Sequence, residues 1–285
     1  MGDLPLKRPL LVLMALLGML PLASPDARAD RSRVERGCPS EMARVRDFCI
    51  DRYEASVVDR ATGSALSPYY PPDPRLSRTL HRLWQVERSG VGDLAAQNLP
   101  LPPLPELQRE GRFDPRAVSR PGVVPQGYLS YSLAGRACKN AGKRLCSEDE
   151  WVTACKGSRS SKFPYGEQFV LGVCNVYRYY HPAFILHGNS SVGHTDPRLN
   201  LILERGTDPV LRLTGATKDC TSNWGTDRIY DMVGNLDEWI ADETGVFVGG
   251  FYARATREGC EARISSHSPL YYDYSLGTRC CRDTR

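Results

Sequence analysis

The chain has 285 residues, a net charge of +4, 25% charged and 41% hydrophobic residues, and ten cysteines. The charge is modest and scattered, which excludes the dense basic face that nucleic-acid binding needs. No CxxC, CxxCH or His-Cys grouping signals zinc, dithiol exchange or haem, and an even cysteine count after an export signal reads first as a disulfide framework.

That signal opens the chain. Lys7 and Arg8 precede an apolar run from Leu10 to Leu22, and Ala27-Arg28-Ala29 supplies a small-x-small cleavage site, so residues 1–29 are predicted to be a signal peptide. The run is shorter than the ~20 apolar residues of a membrane span and breaks at Pro21, so no stable membrane insertion is expected after cleavage. The mature chain, about 255 residues, is large enough for one sizeable domain, expected over 38–283 in a secreted or periplasmic protein.

Glu41 to Ser56, "EMARVRDFCIDRYEAS", reads as two short strands around Arg46-Asp47, with Cys38 and Cys49 close enough to pin them together. Residues 59–127 carry "YYPPDPR" and "LPLPPLPELQ". Proline fixes an extended backbone and cannot sit in the middle of a sheet, so a proline-rich, irregular surface insertion is predicted there. Leu133, Ala134, Ala137, Cys138 and Ala141 then recur at helical spacing up to Gly142. A second helix follows: Ser147 and Glu150 form a capping box, Trp151, Ala154 and Cys155 make its buried stripe, and Gly157 ends it. Glu148, Asp149 and Glu150 suit the positive end of that helix better than acid catalysis. Beyond residue 160 aromatics, glycines and short β-prone runs dominate. The expected class is α+β with irregular structure prominent.

Several separated segments together resemble one family, the formylglycine-generating enzyme or sulfatase-modifying-factor domain. They are "FCIDRYEAS" (48–56), "AGKRLCSEDEWVTACKG" (141–157), "FPYGE" (163–167), "CNV" (174–176), "YDMVGNLDEW" (230–239), "VGG" (248–250) and "LGTRCC" (276–281), in the family's order. The resemblance implies a disulfide-stapled variant of the C-type lectin fold. The 59–127 insertion and residues 177–213 depart from it.

Within "DMVGNLDEW", Asp231 and Glu238 offer carboxylate oxygens, and Gly234 permits a tight path that turns carbonyls toward a common centre, as calcium prefers. A solvated turn followed by a short helix explains the same residues. The resemblance implies structural calcium on the side chains of Asp231 and Glu238 and the carbonyls of Gly234 and Leu236. It also implies a second calcium site beginning at Asn175 and Val176, with Asn189 and Ser191 at the offset of its downstream ligands.

The family oxidises a sulfatase cysteine with oxygen and a copper ion held by two cysteines, which follow a "GGS" motif with four residues between them. Here the stretch is "GGFYARATREGC" (249–260): Phe251 stands for the serine and no cysteine precedes Cys260. One thiolate cannot reproduce a two-thiolate copper(I) site, so copper is not expected. The resemblance instead makes Cys260 a structural cysteine bonded to Cys155 and pairs Cys280 with Cys138. Cys38 with Cys49 is a local third pair, and the pairing of Cys146, Cys174, Cys220 and Cys281 stays open.

Two readings of function follow. In the first the chain is a non-catalytic, calcium-stabilised binding or structural module for a protein, peptide or carbohydrate, with the tyrosines of "VYRYYHP" (176–182) and "PLYYDY" (269–274) and Trp224 as groove candidates or as ordinary packing. In the alternative it is an oxidoreductase of the formylglycine-generating type or another metal-dependent oxygenase, with His181, His187 and His194 as candidate iron or copper ligands, although their spacing matches no familiar ligand pattern. A partner acting only within a complex, docked through the proline-rich insertion, is a third.

Overall fold

In the computed structural model, Gly2 and residues 37–87 and 92–284 are described; apart from Gly2, the predicted signal peptide lies outside the described residues. Strands β1 (Met42–Val45) and β2 (Phe48–Asp51) meet at a turn where Arg46 takes the left-handed backbone (φ 51°) that such tight hairpins require. The last strand, β14 (Cys280–Asp283), lies antiparallel to β2, and β5 (Arg144–Leu145) flanks it, giving the order β1-β2-β14-β5. The two ends of the domain therefore close on each other, Cys281 opposite Ile50.

A second sheet has the order β12 (Arg263–Ile264), β11 (Phe247–Val248), β10 (Asp237–Trp239), β13 (Leu276–Gly277), with β10 and β13 parallel. Three two-stranded ribbons complete the β-structure: β3 (Ala55–Asp59) with β4 (Pro115–Ser119), β6 (Leu203–Glu204) with β7 (Asp208–Pro209), and β8 (Thr221–Trp224) with β9 (Asp227–Tyr230). Small sheets, few helices and much irregular chain make this an α+β fold.

The two helices that the spacing predicts are α4 (Tyr131–Asn140), capped by the Ser130 hydroxyl, and α5 (Glu148–Lys156), with both hydrogen bonds of its N-terminal Ser147/Glu150 capping box formed. Each buries a narrow stripe: Leu133, Ala134, Ala137 and Cys138 on α4; Trp151, Ala154 and Cys155 on α5. Helices this short are marginal alone, and disulfides hold them. Cys138 bonds Cys280, Cys155 bonds Cys260 and Cys38 bonds Cys49, the three pairs considered from the sequence; Cys146–Cys281 and Cys174–Cys220 complete the set. Adjacent residues of a strand point to opposite faces. Cys280 and Cys281 thus fasten β14 to α4 on one side and to the entry of α5 on the other.

Residues 59–127 are not the irregular insertion expected. They contain α1 (Pro74–Val86), α2 (Leu94–Gln97), α3 (Glu106–Glu110) and the whole of β4. The Asp73 carboxylate caps α1 and Pro74 is its first residue, a position where the missing N–H costs nothing. The prolines after residue 100 are extended, as expected, but they are not peripheral: Tyr70 is fully buried and its hydroxyl donates to the Pro102 carbonyl (2.8 Å), beside buried Leu80 and Leu104. After β5 and α5, the one further α-helix among the described residues is α6 (Pro182–His187), capped by His181 Nδ1.

Candidate functional site

The stretch after Gly249-Gly250, where the family's two copper cysteines would stand, is closed. Both glycines have positive φ (91° and 75°), and a Cβ would meet Trp151 and the Met232 carbonyl at the first and Thr256 at the second, so only glycine fits. Phe251 and Tyr252 turn into an aromatic cluster with Tyr128 and Tyr274. Arg254 grips the Asp237 carboxylate with both terminal nitrogens (3.1 and 2.7 Å) and lies 5.2 Å from the Phe251 ring. Cys260 ends the stretch in its bond to Cys155, and all ten cysteines are bonded. No cysteine carries a free thiol.

Below this lies a buried charge cluster. Glu238 on β10 accepts both Nε and Nη2 of Arg279 (2.7–3.0 Å) and the Trp151 indole N–H (2.7 Å). Glu54 reaches the same region from the turn before β3, accepting the Leu236 N–H (3.1 Å) and the Asn235 amide (2.6 Å). Asp231, after β9, accepts the Gly215 N–H (2.7 Å). Burial, and then the neighbouring carboxylates Asp231 and Glu238, push Glu54 well above the usual carboxylate range. Asp231 is pushed up to about 6, mainly by burial, although the Gly215 N–H and Arg279 work the other way. Three carboxylates face one guanidinium, so two negative charges lack a partner. A buried site of this kind holds protons or takes a cation.

Sequence reading picked out Asp231 and Glu238 and missed Glu54 and Arg279. Glu54 carried a faint signal, an acid directly before the short β-prone run Ala55-Ser56-Val57-Val58; Arg279 carried a similar one, a lone cation between Thr278 and two cysteines. Asn175 and Val176 sit on the loop that meets the Gly234–Asn235 turn. The Asn175 carbonyl accepts the Asn235 N–H (2.9 Å), and its Nδ2 donates to Val210 and to Asn235 Oδ1. Asn189 Oδ1 accepts the Ser191 N–H within its own loop. Among the described residues no group of three or more His, Cys, Asp or Glu side chains converges on one metal position, so any cation must take backbone carbonyls as well as carboxylates.

The cluster sets a pH dependence. A carboxyl whose folded pKa exceeds its unfolded value of about 3.9 keeps its proton longer in the native state. Its stabilisation is full below about pH 4 and is lost as the pH rises through the folded pKa, which places the Asp231 window between about 4 and 6. His181, depressed by burial and by His194, acts oppositely below about pH 6.5, so the readout is a difference between variants. Asp231→Asn mimics the protonated acid and tolerates the left-handed backbone at this position (φ 56°). In chelator, its urea-unfolding free energy should fall less than that of the wild type between about pH 4.5 and 7. Equal slopes would remove Asp231 as a source of the imbalance.

The three loop histidines do not form one site. His181 and His194 have ring centroids 6.2 Å apart and both touch Tyr274, whose hydroxyl lies 2.9 Å from His181 Nε2. His187 turns instead to Asp196, 3.3 Å away. The expected aromatic groove is likewise divided. Trp224 packs on α5 and donates to the Ala154 carbonyl, Tyr274 is buried, and Tyr271 stacks with His267. Tyr179 and Tyr180, however, line a cleft of about 850 Å³ between α2, α6 and the β6–β7 hairpin, with Phe184, Ile202 and Leu203.

The architecture is a disulfide-stapled α+β domain with small sheets, few helices and two helices clamped to its closing strands. The Sulfatase-modifying factor enzyme 1-like domain matches residues 20–284, and the chain belongs to that family. Among solved structures, the chain is similar to PvdO from Pseudomonas aeruginosa (16% identity over 83% of this chain and 80% of that one, TM-score 0.39). It is also similar to CarF (14% identity over 84% and 87%, TM-score 0.40). No curated protein matches.

Proposed function

We propose that this family member is an exported binding module, stabilised by calcium, that does not carry out the cysteine oxidation associated with its family. The observation that carries this reading is the closed stretch after Gly250: Arg254 is paired with Asp237, Cys260 is spent on Cys155, and no thiol is free. Five disulfides fit an oxidising compartment, and among the described residues no helix is long and apolar enough to cross a membrane. Secretion or export to a periplasm accords with both. The ligand would be a protein, peptide or carbohydrate bound on surface loops carried by a rigid base. The test is incubation of the unreduced protein with copper(I), oxygen and a sulfatase-type cysteine peptide. No aldehyde should appear by mass spectrometry; aldehyde formation in catalytic amounts overturns the reading.

The same reading assigns calcium to the buried cluster. Asp231 and Glu238, with the carbonyls of Gly234 and Leu236, would supply hard oxygen donors, and the excess negative charge that the neighbouring Glu54 adds favours a divalent cation. Calcium there would supply charge compensation only. Because the cation competes with the protons on Glu54 and Asp231, its stabilisation should grow as the pH rises from about 5 to 7.5. Thermal melts in calcium against chelator at the two pH values measure this. A melting temperature indifferent to calcium at pH 7.5, or an equal shift in Glu54→Gln/Asp231→Asn, would sink the assignment.

The oxygenase alternative rests on one observation, the proximity of His181 and His194 around Tyr274. Metal analysis by mass spectrometry separates the readings: stoichiometric iron or copper favours the oxygenase, calcium alone the module.

A further inference from the structure

We propose that the cleft between α2, α6 and the β6–β7 hairpin binds an uncharged oligosaccharide, an inference that rests on the binding-module reading above. Its volume, about 850 Å³, lies in the range of small-ligand sites. Its aromatic residues are unusually open: Tyr179 is 71% exposed, Tyr180 52% and Phe184 51%. Most large side chains of this domain are buried, so three adjacent rings left in water mark a surface that gains by being covered.

Charge decides what covers it. Of the acidic groups lining the cleft, Glu204 accepts the Tyr179 N–H (2.6 Å) and an Arg178 nitrogen (3.1 Å), and Asp93 accepts the Ala95 and Ala96 N–H groups that begin α2. Both carboxylates are spent inside the protein, and a cationic ligand would have to displace those bonds. Among the described residues Arg205, on the hairpin turn, is the single cation of the lining, too little for a polyanion. A neutral ligand breaks none of these contacts.

Ring geometry narrows the class further. The Tyr179 and Tyr180 centroids lie 4.6 Å apart with planes 84° apart, so the pair forms a step with one face as floor and the other as wall. An extended flat ligand cannot stack on both. A pyranose suits the step: its C–H face covers one ring, its hydroxyl rim stays hydrated, and the phenol hydroxyls, which have no hydrogen-bond partner among the described residues, point to available polar contacts.

The test is calorimetric titration of the full-length mature protein with neutral hexasaccharides of β-1,4-glucose, β-1,4-N-acetylglucosamine and α-1,4-glucose, alongside a heparin hexasaccharide and a Tyr/Phe-rich peptide. At least one neutral sugar should bind saturably with Kd at or below ~1 mM. Tyr179→Ala and Tyr180→Ala should each weaken it by about tenfold or more, while Tyr179→Phe stays within about threefold because the ring face remains. Melting temperatures confirm that these surface variants are folded. No saturable binding of any neutral sugar, binding that the alanine variants leave intact, or binding of the heparin fragment or peptide alone overturns the oligosaccharide assignment. Those outcomes leave the non-catalytic reading standing, since that reading falls on aldehyde formation.

Discussion

Arg279→Met is expected to destabilise the domain by about 3–5 kcal/mol, the cost of leaving a buried charge without its partner. Arg279 is 1% exposed, and its guanidinium holds both oxygens of Glu238 while donating also to the Asp51 and Tyr230 carbonyls. Burial works against its charge, and the Glu238 carboxylate beside it, together with Glu54 and Asp231, more than offsets that. Without it, Glu54, Asp231 and Glu238 share one dry region with only neutral donors. Urea unfolding in chelator at about pH 7 measures the loss, and two further results follow from the same cause. The deficit should shrink toward pH 4, where protons replace the missing cation. Glu238→Gln/Arg279→Met should recover most of it, since a buried pair replaced by neutral groups is often tolerated. A single variant within about 1 kcal/mol of wild type would show that the arginine is not the cluster's counter-ion.

Removing the clasp between α4 and β14 should be comparably severe. The Cys138–Cys280 bond spans 142 residues, and the loop-entropy model assigns such a closure about 5 kcal/mol, against about 3 for a bond spanning about a dozen residues. Cys38–Cys49 spans 11. The Cys138→Ala/Cys280→Ala variant should therefore lose more unfolding free energy than Cys38→Ala/Cys49→Ala, by about 2 kcal/mol. Both sulfurs of the longer bond are fully buried beside Trp239, Phe247 and Leu276, so cavity formation adds to the difference. A larger loss from the short bond would reverse the argument.

The helices that were legible were those whose signals are local. Ser147 and Glu150 satisfy each other's backbone across one turn, and Ser130 caps Leu133; such bonds are formed within four residues and leave a pattern in the chain. The missed helix α1 was misread through its prolines. Proline blocks a helix interior but favours its first position, and Asp73-Pro74 is such a start. The tyrosine runs were read as one possible groove, yet Tyr274 is buried while Tyr179 stands in water. Composition alone does not distinguish a ring that packs from a ring that faces a cleft.

By itself the sequence determined that no second cysteine lies between Gly250 and Cys260. It also determined the capping box of α5 and the family to which the spaced motifs belong. Tertiary structure decided the rest. Glu54, Asp231, Glu238 and Arg279 come from the turn before β3, the end of β9, strand β10 and the residue before β14, and they become one cluster because β14 returns to β2. Charge partnership acts through space across a low-dielectric interior, so it depends on which distant segments the fold brings together, whereas a helix cap depends only on its neighbours along the chain.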